Sequence, residues 1–380
     1  MKIGIVCYPT YGGSGVLATE LGMGLAKDGH EVHFITTHQP VRLDFLNANL
    51  FFHEVFVEEY PLFHYQPYEL ALSSKLVEVV IKYKLDILHV HYAIPHAYAA
   101  YMTKQMLKEK GVEIPVVTTL HGTDITLVGS HPVYKTAVEF SINNSDVVTA
   151  VSENLKQDTL RLFNIENNIE VIYNFIDFEH VKDHEDSDCM RSNIAKPEER
   201  ILLHISNFRP VKRIQDIITI FNKVQEKIPS KLIMIGEGPE KESAMRYAKE
   251  LGIKDKIIFM GNTTEIKKVL CYADLFLLPS ATESFGLAAL EAMAVKTPVI
   301  SSNTGGLPEV NVQGVTGFLS DVGDCEDMAK NAVYILEDDQ RLEQFKQNAF
   351  ENAKRFSIDK VLPQYERIYE IALQRVSALK

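Results

Sequence analysis

Two glutamates eight positions apart, Glu283 and Glu291, lie in the run Pro279-Ser-Ala-Thr-Glu-Ser-Phe-Gly-Leu-Ala-Ala-Leu-Glu-Ala-Met. The apolar stretch at 273–279 before them reads as a buried strand, and 287–294 after them is built of good helix formers. Ser280, Thr282 and Ser284 are candidate helix caps. A strand, a short turn and a helix start aim free backbone N–H groups and the positive end of the helix dipole at one spot, which makes an anion site. Gly286 lets a ligand come close to the backbone there. Glu283 is expected at the mouth of that site and Glu291 about two turns down the helix. Because Glu291 sits in an otherwise apolar run, its carboxylate needs a polar partner. Carboxylates flanking an anion pocket suit a ligand with phosphates in the middle and hydroxyl-rich groups at both ends, as in a nucleotide-sugar.

A second constellation is cationic. The strand at 201–206 ends in Asn207-Phe-Arg209-Pro-Val-Lys212-Arg213, three cations within five residues. The whole chain carries a formal net charge of −12, so such a cluster at a strand end reads as a phosphate site, with Arg209 or Arg213 beside Lys212. That acidity also argues against nucleic acid as a partner, since nucleic-acid affinity rests on basic surface.

The elements that position these groups follow from alternation. In the first half, strands are expected at 3–7, 31–36, 51–57, 87–91, 116–120 and 147–151, with helices at 16–28, 68–84 and 97–110. In the second half, strands at 231–235, 257–260 and 298–302 alternate with helices at 240–251, 265–272, 325–337 and 340–356. This is the pattern of parallel α/β sheets covered on both faces. The last helix, about 358–376, carries one apolar stripe from Val361 to Leu373. At 380 residues and 46% apolar, the chain is long enough for two domains.

The loop Gly12-Gly-Ser-Gly15 follows the first strand and matches a degenerate dinucleotide fingerprint through Gly13, Gly15 and Ala18. A nicotinamide enzyme also needs an acid at the end of the second strand, and that end reads Ile35-Thr-Thr-His38. His89 and His91 point to the same side of one strand, but no carboxylate or cysteine stands at a matching offset, so the pair reads as polar residues at a ligand-binding strand edge. Asp186-Ser-Asp188 lies in a charged stretch and reads as a solvated loop, so no metal or other cofactor is expected to be built in. Cys7, Cys189, Cys271 and Cys325 form no C-x-x-C pair and read as reduced thiols of a cytoplasmic protein. The N-terminus reads as a strand rather than a signal peptide, and no apolar run approaches the ~20 residues of a membrane span.

The Glu283–Glu291 pair followed by Gly305-Gly306-Leu-Pro-Glu309 resembles the retaining glycosyltransferases of family four. The resemblance covers nearly the whole chain and implies the GT-B fold, two Rossmann-like doubly wound α/β domains facing across a cleft. They would be an acceptor domain at 1–175, a nucleotide-sugar domain at 176–357, and a final helix at 358–380 returning to the first. By resemblance, Glu291 holds the ribose, while Glu283 and the amides of Phe285, Gly286 and Leu287 position the sugar. Gly13 and Gly15 line the donor phosphates, and His121, in Thr119-Leu-His-Gly-Thr-Asp124, meets the sugar near its reacting carbon. The family commonly has an arginine where Asn207 stands, and Asn-Gly where this chain has Asn174-Phe175.

A narrower likeness rests on Cys7-Tyr-Pro, His89-Val-His-Tyr-Ala-Ile-Pro-His96 and Ser206-Asn-Phe-Arg209. It implies UDP-N-acetylglucosamine as co-substrate and L-malate as acceptor, with Ser14, Tyr92, Thr119 and Asn207 as acceptor contacts. With no carboxylate placed as a nucleophile on the opposite face of the sugar, front-face attack with retention is expected. Arg209 and Lys212 would stabilise the departing diphosphate. Two rivals stay open: a lipid-glycosylating transferase, for which Leu62-Phe-His-Tyr65 is the apolar candidate, and a dehydrogenase-like nucleotide binder. A homo-oligomer is also left open.

Overall fold

A computed structural model describes residues 1–378 apart from 11, 45, 59–64, 180–190 and 262–268. The Asp186–Asp188 stretch, residues 62–64 and the first half of the helix expected at 265–272 therefore lie outside the described residues. The chain forms two compact units, one of Met1–Asn174 with Ile358–Lys380 and one of Phe175–Ser357.

The first unit is built on a seven-stranded parallel sheet: β1 (Lys2–Val6), β2 (Glu31–Thr36), β3 (Leu50–Glu54), β4 (Ile87–His91), β5 (Val116–Leu120), β6 (Val147–Ala150) and β7 (Ile169–Val171). The strand order is β3-β2-β1-β4-β5-β6-β7. Every residue of β4, β5 and β6 is buried, as a sheet covered on both faces requires. β7 continues the sheet beyond the strands expected from sequence, because three residues are too few to show a period. Ser152 caps the helix Glu153–Leu162, its Oγ accepting from the Leu155 amide at 3.0 Å.

The terminal helix Ile358–Ser377 packs on this unit along its apolar stripe, burying Val361, Leu362, Tyr365, Ile368, Tyr369 and Ala372. Polar ties help to fix its register, and Arg375 donating to the Asp146 carbonyl is one of them. Tyr369 Oη meets His89 Nδ1 at 2.8 Å, and Glu366 meets His30 Nε2 at 2.9 Å.

The second unit has a six-stranded parallel sheet: β8 (Arg200–Ile205), β9 (Ser230–Ile235), β10 (Ile257–Met260), β11 (Leu275–Leu278), β12 (Val299–Ser302) and β13 (Gly317–Ser320), in the order β10-β9-β8-β11-β12-β13. β13 escapes sequence reading because it is four residues long and opens on glycine. Its core joins Ile214, Ile217, Ile218 and Phe221 of helix Ile214–Gln225 to Met328 and Ile335 of helix Cys325–Leu336. Phe175 is buried, which gives a structural reason for its presence beside Asn174.

Both sheets reverse their direction of growth once, between β1 and β4 in the first and between β8 and β11 in the second. At such a switch point the loops leaving the two strands diverge and open a crevice at the carboxyl edge, where open α/β sheets bind ligands.

Candidate functional site

In the second unit the crevice is lined by the turns after β8 and β11. The first turn runs through the short helix Pro210–Lys212 and ends at Arg213 in the left-handed region, φ 53°, before helix Ile214–Gln225 begins. A backbone bond from the Ala281 amide to the Val211 carbonyl, 2.8 Å, ties it to the second turn. Across that tie Lys212 Nζ donates to Glu283 Oε1 at 2.5 Å, and Ser280 Oγ donates to the same oxygen at 2.8 Å. The Lys212 and Glu283 side chains are only 18% and 13% exposed, so their charges are held largely away from water. Arg213 is engaged with Asp216 at 2.5 Å. Arg209 and Asn207 are exposed, and neither side chain has a hydrogen-bond or ion-pair partner among the described residues. Of the two arginines considered for the anion, Arg209 is thus the uncommitted one.

The helix after β11 spans Leu287–Ala294 and is capped by Gly286 at φ 96°, with no side-chain cap. This corrects the expectation for Ser280, Thr282 and Ser284. A left-handed glycine turns the chain into the helix, and Ser280 serves Glu283 instead. The late start also places the partly buried Glu291 about one turn from the helix beginning, not two. Leu287 opens the first turn, where backbone N–H groups lack intrahelical partners. Phe285 is buried edge-on against Phe356, ring centroids 5.6 Å apart, so only its backbone is available to a ligand.

Gly305 and Gly306 pack on this turn. A Cβ at Gly305 would lie 1.9 Å from the Glu283 carbonyl oxygen, and the Gly306 amide donates to that same oxygen at 2.9 Å. The Gly306 N–H is therefore spent on shaping the Glu283 loop rather than offered to a phosphate.

In the first unit the crevice lies between the loops after β1 and β4. Gly12 caps the helix Gly13–Lys27, so the helix begins three residues earlier than position 16. Gly13 is exposed, Gly15 buried and Ser14 partly buried. Ser14 Oγ and Tyr92 Oη are 2.5 Å apart and join the two loops. Tyr92 has φ 87°, a left-handed conformation rare for an aromatic residue. The loop after β5 joins this pair. His121 packs on Tyr92 with centroids 5.0 Å apart. Buried Asp124 accepts from the amides of Ala93, Gly122 and His121 at 2.8, 3.0 and 3.2 Å, clasping two loops. Burial holds the Asp124 carboxyl up at about 6 despite those three donors.

Beneath lies a buried row of imidazoles. His89 stacks on His91 at 4.5 Å, and His91 Nδ1 meets His121 Nε2 at 2.8 Å. Burial depresses all three, His89 and His121 to about 3 and His91 well below its ordinary value, so the rings are neutral at physiological pH. His89 sits in the core, with its Nε2 meeting Thr119 Oγ1 at 2.7 Å, and is not a ligand-facing edge residue. Thr119 needs the same correction. It is buried, and its hydroxyl lies between His89 and Thr149, 2.7 Å from each, so it is not presented to an acceptor. Among the described residues no group of three or more His, Cys, Asp or Glu is arranged to hold a metal.

Residues 11–180 match the family described as Glycosyltransferase Family 4, and residues 186–352 match Glycosyl transferases group 1. The chain is 47% identical, over 97% of its length and 96% of the relative's, to the N-acetyl-α-D-glucosaminyl L-malate synthase of Bacillus anthracis. It belongs to this glycosyltransferase family. The transferase is also 28% identical, over 98% of its length and 99% of the relative's, to a glycosyltransferase of Methanocaldococcus jannaschii. Its fold is GT-B. The solved Anabaena HepE, in complex with UDP and glucose, superposes with a TM-score of 0.81 at 18% identity, covering 97% of this chain and 99% of that one. Sucrose-phosphate synthase from Thermosynechococcus elongatus gives a TM-score of 0.78 at 19% identity over the full length of both. No helix among the described residues is long and apolar enough to cross a membrane.

Two residues that shape the transferase's site were not singled out for these roles from sequence. From sequence Ser280 reads only as a cap, and Asp124 only as part of a motif. A small polar residue three positions before a glutamate, and an aspartate two after a strand-end glycine, are the signals that point to them.

Proposed function

We propose that this transferase moves N-acetylglucosamine from UDP-N-acetylglucosamine to the hydroxyl of L-malate with retention of the α configuration. The supporting observation is the 47% identity, nearly end to end, with a synthase named for that product. The placement of the predicted groups at both topological switch points agrees with it.

In this reading Glu291 holds the ribose hydroxyls, and Glu283 with the amides of Phe285, Gly286 and Leu287 positions the sugar. Gly13 and Gly15 border the donor phosphates. Ser14, Tyr92 and Asn207 hold malate, whose carboxylates suit hydroxyl and amide donors. The bond between the anomeric carbon and the phosphate oxygen breaks as the malate oxygen bonds to that carbon on the same face. The malate proton passes to the departing phosphate oxygen, and UDP leaves. Arg209, Lys212 and the helix start at Leu287 stabilise the charge that gathers on the diphosphate. His121 contacts the sugar as a neutral group. No metal takes part, and charge compensation falls to the side chains and helix.

The test is incubation with UDP-N-acetylglucosamine and L-malate, with UDP release and the anomeric configuration of the product as readouts. Formation of the α-glycoside of malate supports the reading. Slow hydrolysis with no acceleration by malate, or faster turnover on a lipid or sugar acceptor, overturns it.

A further inference from the structure

The row of imidazoles contains one sealed-in atom that has no partner among the described residues. His91 Nε2 is buried and makes no hydrogen bond among the described residues, while His91 Nδ1 lies 2.8 Å from His121 Nε2. Both rings are neutral, so one nitrogen of each carries a proton, and the shared bond allows two arrangements. If His121 Nε2 were the donor, His91 would carry its proton on Nε2, and a buried N–H would point at nothing. If His91 Nδ1 is the donor, the orphan is only a lone pair. Orphaned buried N–H groups are rarer and more costly than under-satisfied acceptors. The second arrangement therefore prevails. It leaves His121, a residue only partly buried, with its proton on Nδ1, an atom that has no partner among the described residues.

We infer that His91 is a positioning residue that locks His121 in the Nδ1–H tautomer, so that this histidine meets the sugar as a neutral hydrogen-bond donor. The neighbouring contacts hold His91 in place for the task. Its ring is stacked between those of His89 and His121, at 4.5 and 5.1 Å. Its carbonyl accepts from His96 Nδ1 at 2.5 Å, which fixes the backbone from the other side. His89 is tied by Tyr369 and Thr119, so the stack cannot slide. The role assigned to His121 rests on the proposed function; its tautomer rests on the hydrogen bonds alone.

Two measurements separate these. The first needs no activity: long-range proton–nitrogen correlations on isotope-labelled wild-type protein show which ring nitrogen of His121 bears the proton, the resonance being assigned by its loss in His121→Gln. A proton on Nδ1 is expected, and a proton on Nε2 overturns the inference. The second compares His91→Asn with His91→Asp. An asparagine amide nitrogen overlies the imidazole Nδ1 and still donates to His121 Nε2, whereas an aspartate can only accept and reverses the bond. His91→Asn should keep the tautomer and kcat within about threefold of wild type, while His91→Asp should lose about 10²-fold in kcat, the scale for one preorganised donor. A rise in KM for malate alone, with kcat unchanged, or equal losses of kcat in two variants of equal thermal stability, would overturn it. If the tautomer is as inferred but neither variant changes turnover, the assignment of His121 to the sugar fails instead.

Discussion

Replacing Lys212 with methionine keeps the apolar stem but removes the ammonium, and two consequences can be separated. Glu283 would keep Ser280 as a donor but lose its charge partner while remaining 13% exposed. Breaking one side of a largely buried pair costs about 3 kcal/mol, the lower end of the range because one hydrogen bond remains. For a unit the size of Phe175–Ser357, that is a fall in melting midpoint of about 6–12 °C. Catalytically, the lost contact is one to the departing diphosphate, worth a further ~3 kcal/mol of barrier, or about 10²-fold in kcat. Glu283→Gln in the same chain distinguishes the two. The double variant no longer leaves a charge unpaired, so most of the stability should return, yet turnover should stay low. The assays are thermal unfolding and UDP release at saturating malate. Turnover of Lys212→Met within about threefold of wild type would refute the electrostatic role. A stability loss undiminished in the double variant would refute the pairing.

Arg209→Ala should cost about 10²-fold in kcat with little change in melting, because its guanidinium has no partner among the described residues; calorimetry beside the UDP assay checks both halves. Tyr92→Phe should raise KM for malate more than KM for the nucleotide-sugar, about tenfold for one lost hydrogen bond, as steady-state kinetics would show. Thr119→Val should lower stability by about 1–3 kcal/mol, because it leaves His89 short of a buried partner, with no selective effect on malate; chemical denaturation reads this. His96 and His204 are buried and depressed to about 4. Because their folded values lie below the unfolded value of about 6.5, the stability they contribute is full above pH ~6.5 and lost as pH falls towards 4, ~3 kcal/mol each. Denaturation midpoints measured across that window should decline steadily.

The sequence determined the periodic elements and the residues at their ends. Strands β2, β4, β5 and β10 lie where alternation and apolar runs put them, and the terminal helix buries six members of its stripe. Chemistry-bearing residues at strand ends were legible because parallel sheets gather ligand-binding loops at one edge. Burial and pairing were not legible, since they depend on residues far apart in the chain. Thr119 lost its place as an acceptor contact because His89 and Thr149 take its hydroxyl. The Gly305–Gly306 pair serves the Glu283 carbonyl 22 or 23 positions away. Arg209 and Arg213 are equivalent cations in sequence, and only Asp216, one helical turn beyond Arg213, separates them. Local propensity is set by neighbours along the chain, whereas the availability of a polar atom to a ligand is decided by what the fold has already bonded to it.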